Sequence, residues 1–196
     1  MESSRKPSSA PVRPSTPFER ASAVSTRPAD PQGLLAELKQ LDVEPGMWWF
    51  GAFRNLNILV WHRAGDTRAV QRIDATNVPR TTAHPEGIST IHIIREDAKP
   101  PSADTRDAFN AMHAEWGHTV GCGVIVIEQR GFLGVAIRAA VTGMTMVAPK
   151  FYRIRVVDSV EAAAPWLSEN HARSTDVVIS PEDTLAILNE ARRRGQ

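Results

Sequence analysis

Cysteine is almost absent from this sequence of 196 residues, since Cys122 is the only one. A single cysteine excludes an intramolecular disulfide, and with it the disulfide frameworks of small secreted domains. Long apolar runs are lacking as well. No segment reaches the ~20 apolar residues that cross a bilayer, and no run near the N-terminus has the length of a signal-peptide core. We therefore expect a cytoplasmic protein without a membrane span.

The sequence also lacks an excess of charge of either sign. Its formal net charge of +1 divides into +2 on residues 1–32, with five Lys or Arg against three Asp or Glu, and −1 on the remainder. Phosphate binding needs a clustered positive field, so we expect no nucleic-acid partner. Hydrophobic residues make up 42% and charged residues 23%, which is ordinary for a globular domain with a sizeable core.

Large apolar residues are scarce at the start of the chain. Residues 1–30 combine several prolines with Ser, Thr and Arg, and this composition cannot offset the entropy of ordering a chain. We predict a disordered tail over 1–30 and a single α/β domain over 31–196. The domain is expected to begin with a helix capped at Asp30 that carries four leucines at helical spacing, up to Leu41.

Strand and helix patterns alternate through the rest of the domain. Strands are predicted from Met47 to Phe53, Leu56 to Arg63, Ile88 to Arg95, Cys122 to Ile127 and Tyr152 to Val157. Helices are predicted from Thr67 up to Pro79, from Ser102 to before Gly121, from Gly131 to Val147, from Asp158 past Leu167, and from Ser180 to Arg194. This alternation predicts a mixed, mostly parallel sheet of about five strands covered by helices.

Two segments carry more apolar surface than one sheet face needs. Adjacent Trp48 and Trp49 must point to opposite faces of a strand, so one of them is a candidate for exposure. The segment from Gly131 to Val147 is apolar nearly all round, which is typical of a helix covered on two sides. Trp48, Phe132 and Met144 are therefore candidate contact residues for a protein partner or for self-association.

The order of elements, together with the segment from Tyr152 to Leu167 that carries Glu-Ala and Trp-Leu in its helix, resembles the STAS-like (anti-sigma-factor antagonist-like) superfamily. The resemblance covers about residues 47–168 and implies a small module that binds a partner protein. It also implies a phosphoacceptor serine at the start of the helix after the third strand, and Ser102 is the matching position. The usual Asp-Ser-Gly or Asp-Ser-Ser context is replaced here by Pro-Ser-Ala, and an ordinary N-cap also accounts for Ser102.

Motifs that carry chemistry are lacking. His113 and His118 are five residues apart, whereas two histidine ligands on one helix face are four apart, so no metal site is predicted. Cys122 opens an apolar strand and is expected to be a buried, inert thiol, and His92 is expected to lie on one sheet face without acting as a base. The glycines at 131 and 134 match no nucleotide-binding motif, so no cofactor is expected.

Three functional hypotheses follow from these patterns. The first is a non-enzymatic, STAS-like interaction or regulatory module, with Ser102 as its candidate switch. The second is a carrier of an apolar small molecule or lipid, in a groove lined by Phe132, Val135, Met144 and Met146. The third is an enzyme of unknown reaction, which would need a cluster of titratable groups in a pocket.

Overall fold

The computed structural model describes residues 31–147 and 153–196, and the tail predicted over 1–30 lies outside this part of the chain. The described residues form an α/β fold with a mixed and mostly parallel sheet, as predicted, and the sheet has six strands where about five were expected. The strands are β1 Lys39–Glu44, β2 Trp48–Phe53, β3 Leu56–Trp61, β4 Ile88–Ile94, β5 Val120–Ile127 and β6 Arg153–Val157. The helices are α1 Pro31–Ala36, α2 Thr67–Ala83, α3 Ala103–Trp116, α4 Gly131–Val147, α5 Val160–Thr175 and α6 Pro181–Arg194.

The strands lie in the sheet in the order in which they occur in the chain. β1, β2 and β3 are joined by antiparallel pairing, while β3, β4, β5 and β6 run parallel. Parallel strands need crossover connections, and α2, α3 and α4 provide them. Because successive right-handed crossovers advance in one direction, these three helices lie on the same face of the sheet.

Alternate residues of the central strands pack into different layers. Ile91 and Ile93 of β4 belong to the core beneath α1, α5 and α6, whereas Leu59 and Trp61 of β3 belong to the core beneath α2 and α3. A third, smaller cluster around Ile137 joins α4 to the sheet. β2 and β3 are buried on both faces along their whole length. The sheet is therefore the middle layer of a three-layer domain.

Serine and aspartate side chains begin four of the helices. Asp66, Ser102, Ser159 and Ser180 each accept a hydrogen bond from the backbone N–H three residues ahead, which satisfies one of the free donors of the first turn. The N-caps predicted at Ser102 and Ser180 are thus confirmed.

The predicted N-terminal helix is wrong beyond its first turns, because α1 ends at Ala36 and β1 follows. Leu38 packs in the core beneath α5 and α6, whereas Leu41 packs on the opposite face of the sheet, beneath α2. A strand can place residues on opposite faces in this way. The register shift between Gln40 and Asp42 marks a bulge at Leu41.

The predicted end of α2 at Pro79 is also wrong, since the helix continues to Ala83. The guanidinium group of Arg80 donates hydrogen bonds to Asn57 Oδ1 at 2.5 Å and to the carbonyl oxygen of Arg54 at 2.6 Å. These contacts anchor the last turn of α2 to the sheet and offset the backbone hydrogen bond that proline cannot donate.

The two edge strands of the sheet carry charges of opposite sign. In β1, Asp42 and Glu44 both pair with Arg72 of α2. In β6, Arg153 and Arg155 alternate with half-buried residues and are exposed. Arg153 donates a hydrogen bond to Asn170 at 3.3 Å, and Arg155 lies 5.9 Å from the ring centroid of Trp166.

Gly51 of β2 leaves the space that the Trp49 indole occupies. Trp49 is 1% exposed and its Nε1 donates a hydrogen bond to Gln40 Oε1 at 2.9 Å, so the ring is fixed in place. A Cβ atom at position 51 would lie 2.0 Å from Cη2 of that ring.

We expect Gly51→Ala to lower the free energy of unfolding by about 2 kcal/mol, because the indole and the strand must move apart. Gly143→Ala in α4 is the matched control, since among the described residues no atom beyond its own turn of helix lies within 4 Å of the added Cβ. The control should raise stability by at most about 1 kcal/mol, through lower chain entropy in the unfolded state. Urea unfolding of both variants measures the difference, and equal stability would contradict this account of Gly51.

Candidate functional site

A cavity of about 90 Å³ lies between the sheet and the helices α3 and α4, close to the carboxyl ends of the parallel strands. Its floor is formed by β4, β5 and β6 through Thr90, His92, Gly123, Ile125 and Ile154. Gly123 pairs with Thr90 on one side and with Ile154 on the other. A residue without a side chain thus occupies the centre of the floor, and this leaves the space open.

Apolar and aromatic side chains form most of the walls. α3 contributes Phe109 and His113, α4 contributes Val141 and Met144, and Trp61 closes the side toward β3. The carboxyl ends of strands in open parallel sheets are the usual place for ligands in α/β proteins. The cavity therefore combines a common location with the apolar lining that is typical of small-molecule sites.

Four rings pack together on one side of the cavity. Phe109 meets Trp61 edge to face, with ring centroids 5.9 Å apart at 78°, and it meets His92 at 6.1 Å and 67°. His113 stacks on Phe109 at 6.2 Å. Edge-to-face and offset contacts of this kind add to the energy of burial, so this wall is preformed without a ligand.

Trp61 fixes the protonation state of His92. The Trp61 indole Nε1–H donates a hydrogen bond to His92 Nδ1 at 3.3 Å. An indole can only donate, so Nδ1 must be unprotonated, and the neutral ring carries its proton on Nε2. Burial lowers the pKa of His92 from 6.5 to about 3, and repulsion by His113 adds to this lowering. Burial also lowers the pKa of His113.

Both histidines are consequently uncharged near neutral pH. Protein surrounds His92 on every side, and its remaining accessible surface faces the cavities that it lines. A general base works best with a pKa near the operating pH, and His92 is far below it. The expectation that His92 is not a base is consistent with this geometry.

A second cavity of about 30 Å³ lies on the other side of the two histidines. It is lined by Asn57 and Asn77, whose side chains share a hydrogen bond of 2.9 Å, and by Trp116. This space is large enough for a water molecule, and the two amide groups offer hydrogen-bond partners for it. His92 and His113 therefore lie between the two cavities, and the smaller one has two amide side chains in its wall.

Cys122 lies on the opposite face of the sheet, in a fully buried polar group. Its thiol donates to Ser89 Oγ at 3.2 Å, and Ser89 Oγ lies 2.8 Å from His171 Nδ1. Burial raises the pKa of the Cys122 thiol, and it lowers the pKa of His171 to about 4. All three residues are at most 1% exposed, so the expected burial of Cys122 is confirmed and this serine–histidine pair is closed to substrates.

A further charged group follows the strands on the α6 side. Glu128, directly after β5, pairs with Arg95 at 3.3 Å and with Arg192 of α6 at 2.8 Å. The Nε–H of Arg192 is not aligned for a hydrogen bond, so this contact is ionic only. Within the described ranges, no group of three or more His, Cys, Asp or Glu residues is placed to hold a metal ion. No helix in those ranges has the length and hydrophobicity to span a membrane.

The candidate contact residues predicted from the sequence do not form one surface. Trp48 is 3% exposed, and both adjacent tryptophans are buried, so the expected exposure of one of them is wrong. Helices on each face of β2 cover them. Met144 is half-buried and lines the cavity, whereas Phe132 is 88% exposed. Ser102 is an exposed N-cap whose Oγ lies 2.8 Å from Thr105 Oγ1.

Within the described part of the chain, α4 is covered on one side, whereas the sequence pattern predicted cover on two. Its inner face packs through Ile137 and Val141, while Phe132, Leu133 and Val135 in its first turns are exposed. Of the residues predicted to line a groove, Met144 borders the cavity, whereas Phe132 and Val135 do not. The side chain of Met146 lies outside the described residues.

Comparisons with protein-family models, with curated proteins and with solved structures found no match to this chain. The site is interpreted from its own chemistry.

Two sequence patterns involve residues of this cavity, but neither predicts a cavity from the sequence alone. Thr90 and His92 alternate with Ile91 and Ile93, which places polar groups on a sheet face that helices cover. Phe109 and His113 are four residues apart and share a helix face. Neither pattern shows that a gap remains between α3 and α4.

The depressed pKa of His92 predicts acid sensitivity. Between pH 6.5 and about 3 the unfolded chain binds a proton at this residue and the folded chain does not, so stability falls as the pH drops through that window. One such histidine should cost about 2 kcal/mol between pH 7.5 and pH 5.0. His92→Gln keeps an acceptor for Trp61 and should reduce the loss over that interval by this amount, measured by urea unfolding at both pH values. An unchanged loss would contradict a neutral, buried His92.

Proposed function

We propose that this protein is a non-enzymatic binding module that holds an apolar small molecule in the cavity between the sheet, α3 and α4. The observation that carries this proposal is the preformed, apolar and solvent-connected space beside the ring cluster of Trp61, His92, Phe109 and His113. Well-packed interiors contain few spaces of this size, and each one costs stability. A space retained at the carboxyl ends of parallel strands is best explained by a ligand.

A catalytic role receives no comparable support. Neutral histidines with lowered pKa values are poor bases near neutral pH, and no carboxylate lines the described part of the cavity. Binding requires only complementary shape and polarity, and the lining supplies both.

Filling the cavity from α4 should abolish binding. Val141→Phe places a ring in the space, while Val135→Phe makes the same substitution on the same helix at a position that is 62% exposed. We expect 1-octanol to shift the Trp61 indole N–H signal in NMR spectra of the wild type and of Val135→Phe, but not of Val141→Phe.

Trp61→Phe identifies the Trp61 signal, and circular dichroism confirms that each variant is folded. If 1-octanol leaves this signal of the wild type unchanged, or if it shifts the signal equally in Val141→Phe, the cavity is not the binding site.

The second candidate function is that of a protein-interaction or regulatory module of the STAS-like kind. The exposed apolar turn of α4, formed by Phe132, Leu133 and Val135, favours it. A phenylalanine that is 88% exposed gains from burial against a partner or a second copy of this chain. Ser102 remains its candidate switch, since phosphate at an exposed helix N-terminus interacts favourably with the helix dipole.

Removing the exposed ring should weaken such contacts. We expect Phe132→Ser to lose a partner in affinity capture from the native host, or to reduce self-association in sedimentation velocity. Val178→Ser is the control, because Val178 is also exposed, at 60%, but lies in the connection between α5 and α6. If wild type, Phe132→Ser and Val178→Ser behave alike in both experiments, the turn of α4 is not an interaction surface.

A further inference from the structure

Positive charge is confined to the open end of the cavity. Of the residues that line it, Arg63 and Lys99 carry charge, and both are exposed. They belong to the two connections that follow neighbouring parallel strands, β3–α2 and β4–α3. No ion pair within the described part of the chain involves either side chain. The rim thus presents two cations without a neutralising carboxylate among the lining residues.

The interior has no charge to match this rim. Val141 is 5% exposed and Ala98 is 1% exposed, and the two histidines of the wall are neutral near pH 7. A carboxylate moved into this interior would lose its hydration without meeting a cation, which is costly. An anionic ligand must therefore place its charged head at the rim and its apolar end inside.

The volume of the cavity limits the shape of the apolar end. About 90 Å³ corresponds to roughly three water molecules, or to roughly three or four carbons of a chain. A cavity that encloses a benzene ring measures about 150 Å³. The interior of the cavity is therefore better matched to the end of a narrow chain than to a whole aromatic ring.

From the charged rim, the uncharged interior and the small volume of that interior, we infer that the ligand is a linear, amphipathic anion, such as a medium-chain alkyl carboxylate. Its chain end occupies the space between Gly123, Val141 and Phe109, and its carboxylate lies between Arg63 and Lys99. This inference rests on the proposed function and adds the class of ligand to it.

Octanoate and octanamide separate the contribution of the head from that of the chain. Both have the same chain length, but the amide has no charge. By titration calorimetry at pH 7.5 and low salt, we expect octanoate to bind about three- to tenfold more tightly than octanamide. The double substitution Arg63→Gln with Lys99→Gln should remove this difference. Added salt should weaken octanoate binding alone.

The control is Arg173→Gln with Arg193→Gln, which removes the same number of charges from exposed positions on α5 and α6, across the sheet. It should keep the preference for octanoate. Equal affinity for the two compounds, or a preference that survives loss of Arg63 and Lys99, would overturn the inference while leaving the apolar site in place. Failure of 1-octanol, octanamide and octanoate alike would overturn the proposed function itself.

Discussion

Three successive connections between the parallel strands β3 to β6 advance in one direction across the sheet, and they determine on which face each helix lies. These connections place α2, α3 and α4 on one face of the sheet. The other face is apolar as well, because β3, β4 and β5 carry large aliphatic residues on both sides. The other face has to be covered by elements that take no part in the crossovers. α5 and α6, which follow the last strand, supply this cover together with α1. The C-terminal quarter of the chain is thus part of the core.

The two faces differ in how completely they are filled. Beneath α5 and α6, even polar residues such as Ser89 and His171 are fully enclosed by their neighbours. Beneath α3 and α4, a glycine in the floor and the separation of the helices leave a space, and an indole holds a neutral imidazole at its side. The difference between the two faces therefore arises both from the sheet, through Gly123, and from the helices that cover it. The face that holds the cavity also presents the exposed turn of α4.

Local sequence patterns were sufficient to predict most of the fold but not to predict the candidate site. Ser102 and Ser180 could be identified as helix starts from the sequence, because capping is a contact between residues three apart. β1 could not be found in this way, since its register depends on pairing with β2 and its charges depend on Arg72 of α2. The exposure of Phe132 could not be predicted for a related reason, since hydrophobic periodicity does not show whether another helix or strand covers a given face. The cavity depends on the absence of a side chain at Gly123, and sequence patterns do not reveal empty space between packed elements.

The arginines of β6 have a consequence for assembly. β6 is the parallel edge of the sheet, and an edge strand can in principle accept a strand from another molecule. If two copies met there, the row formed by Arg153 and Arg155 would face its own counterpart, and like charges directly opposite each other are destabilising. Direct pairing of two copies through their β6 edges is therefore disfavoured by the charges that this strand carries.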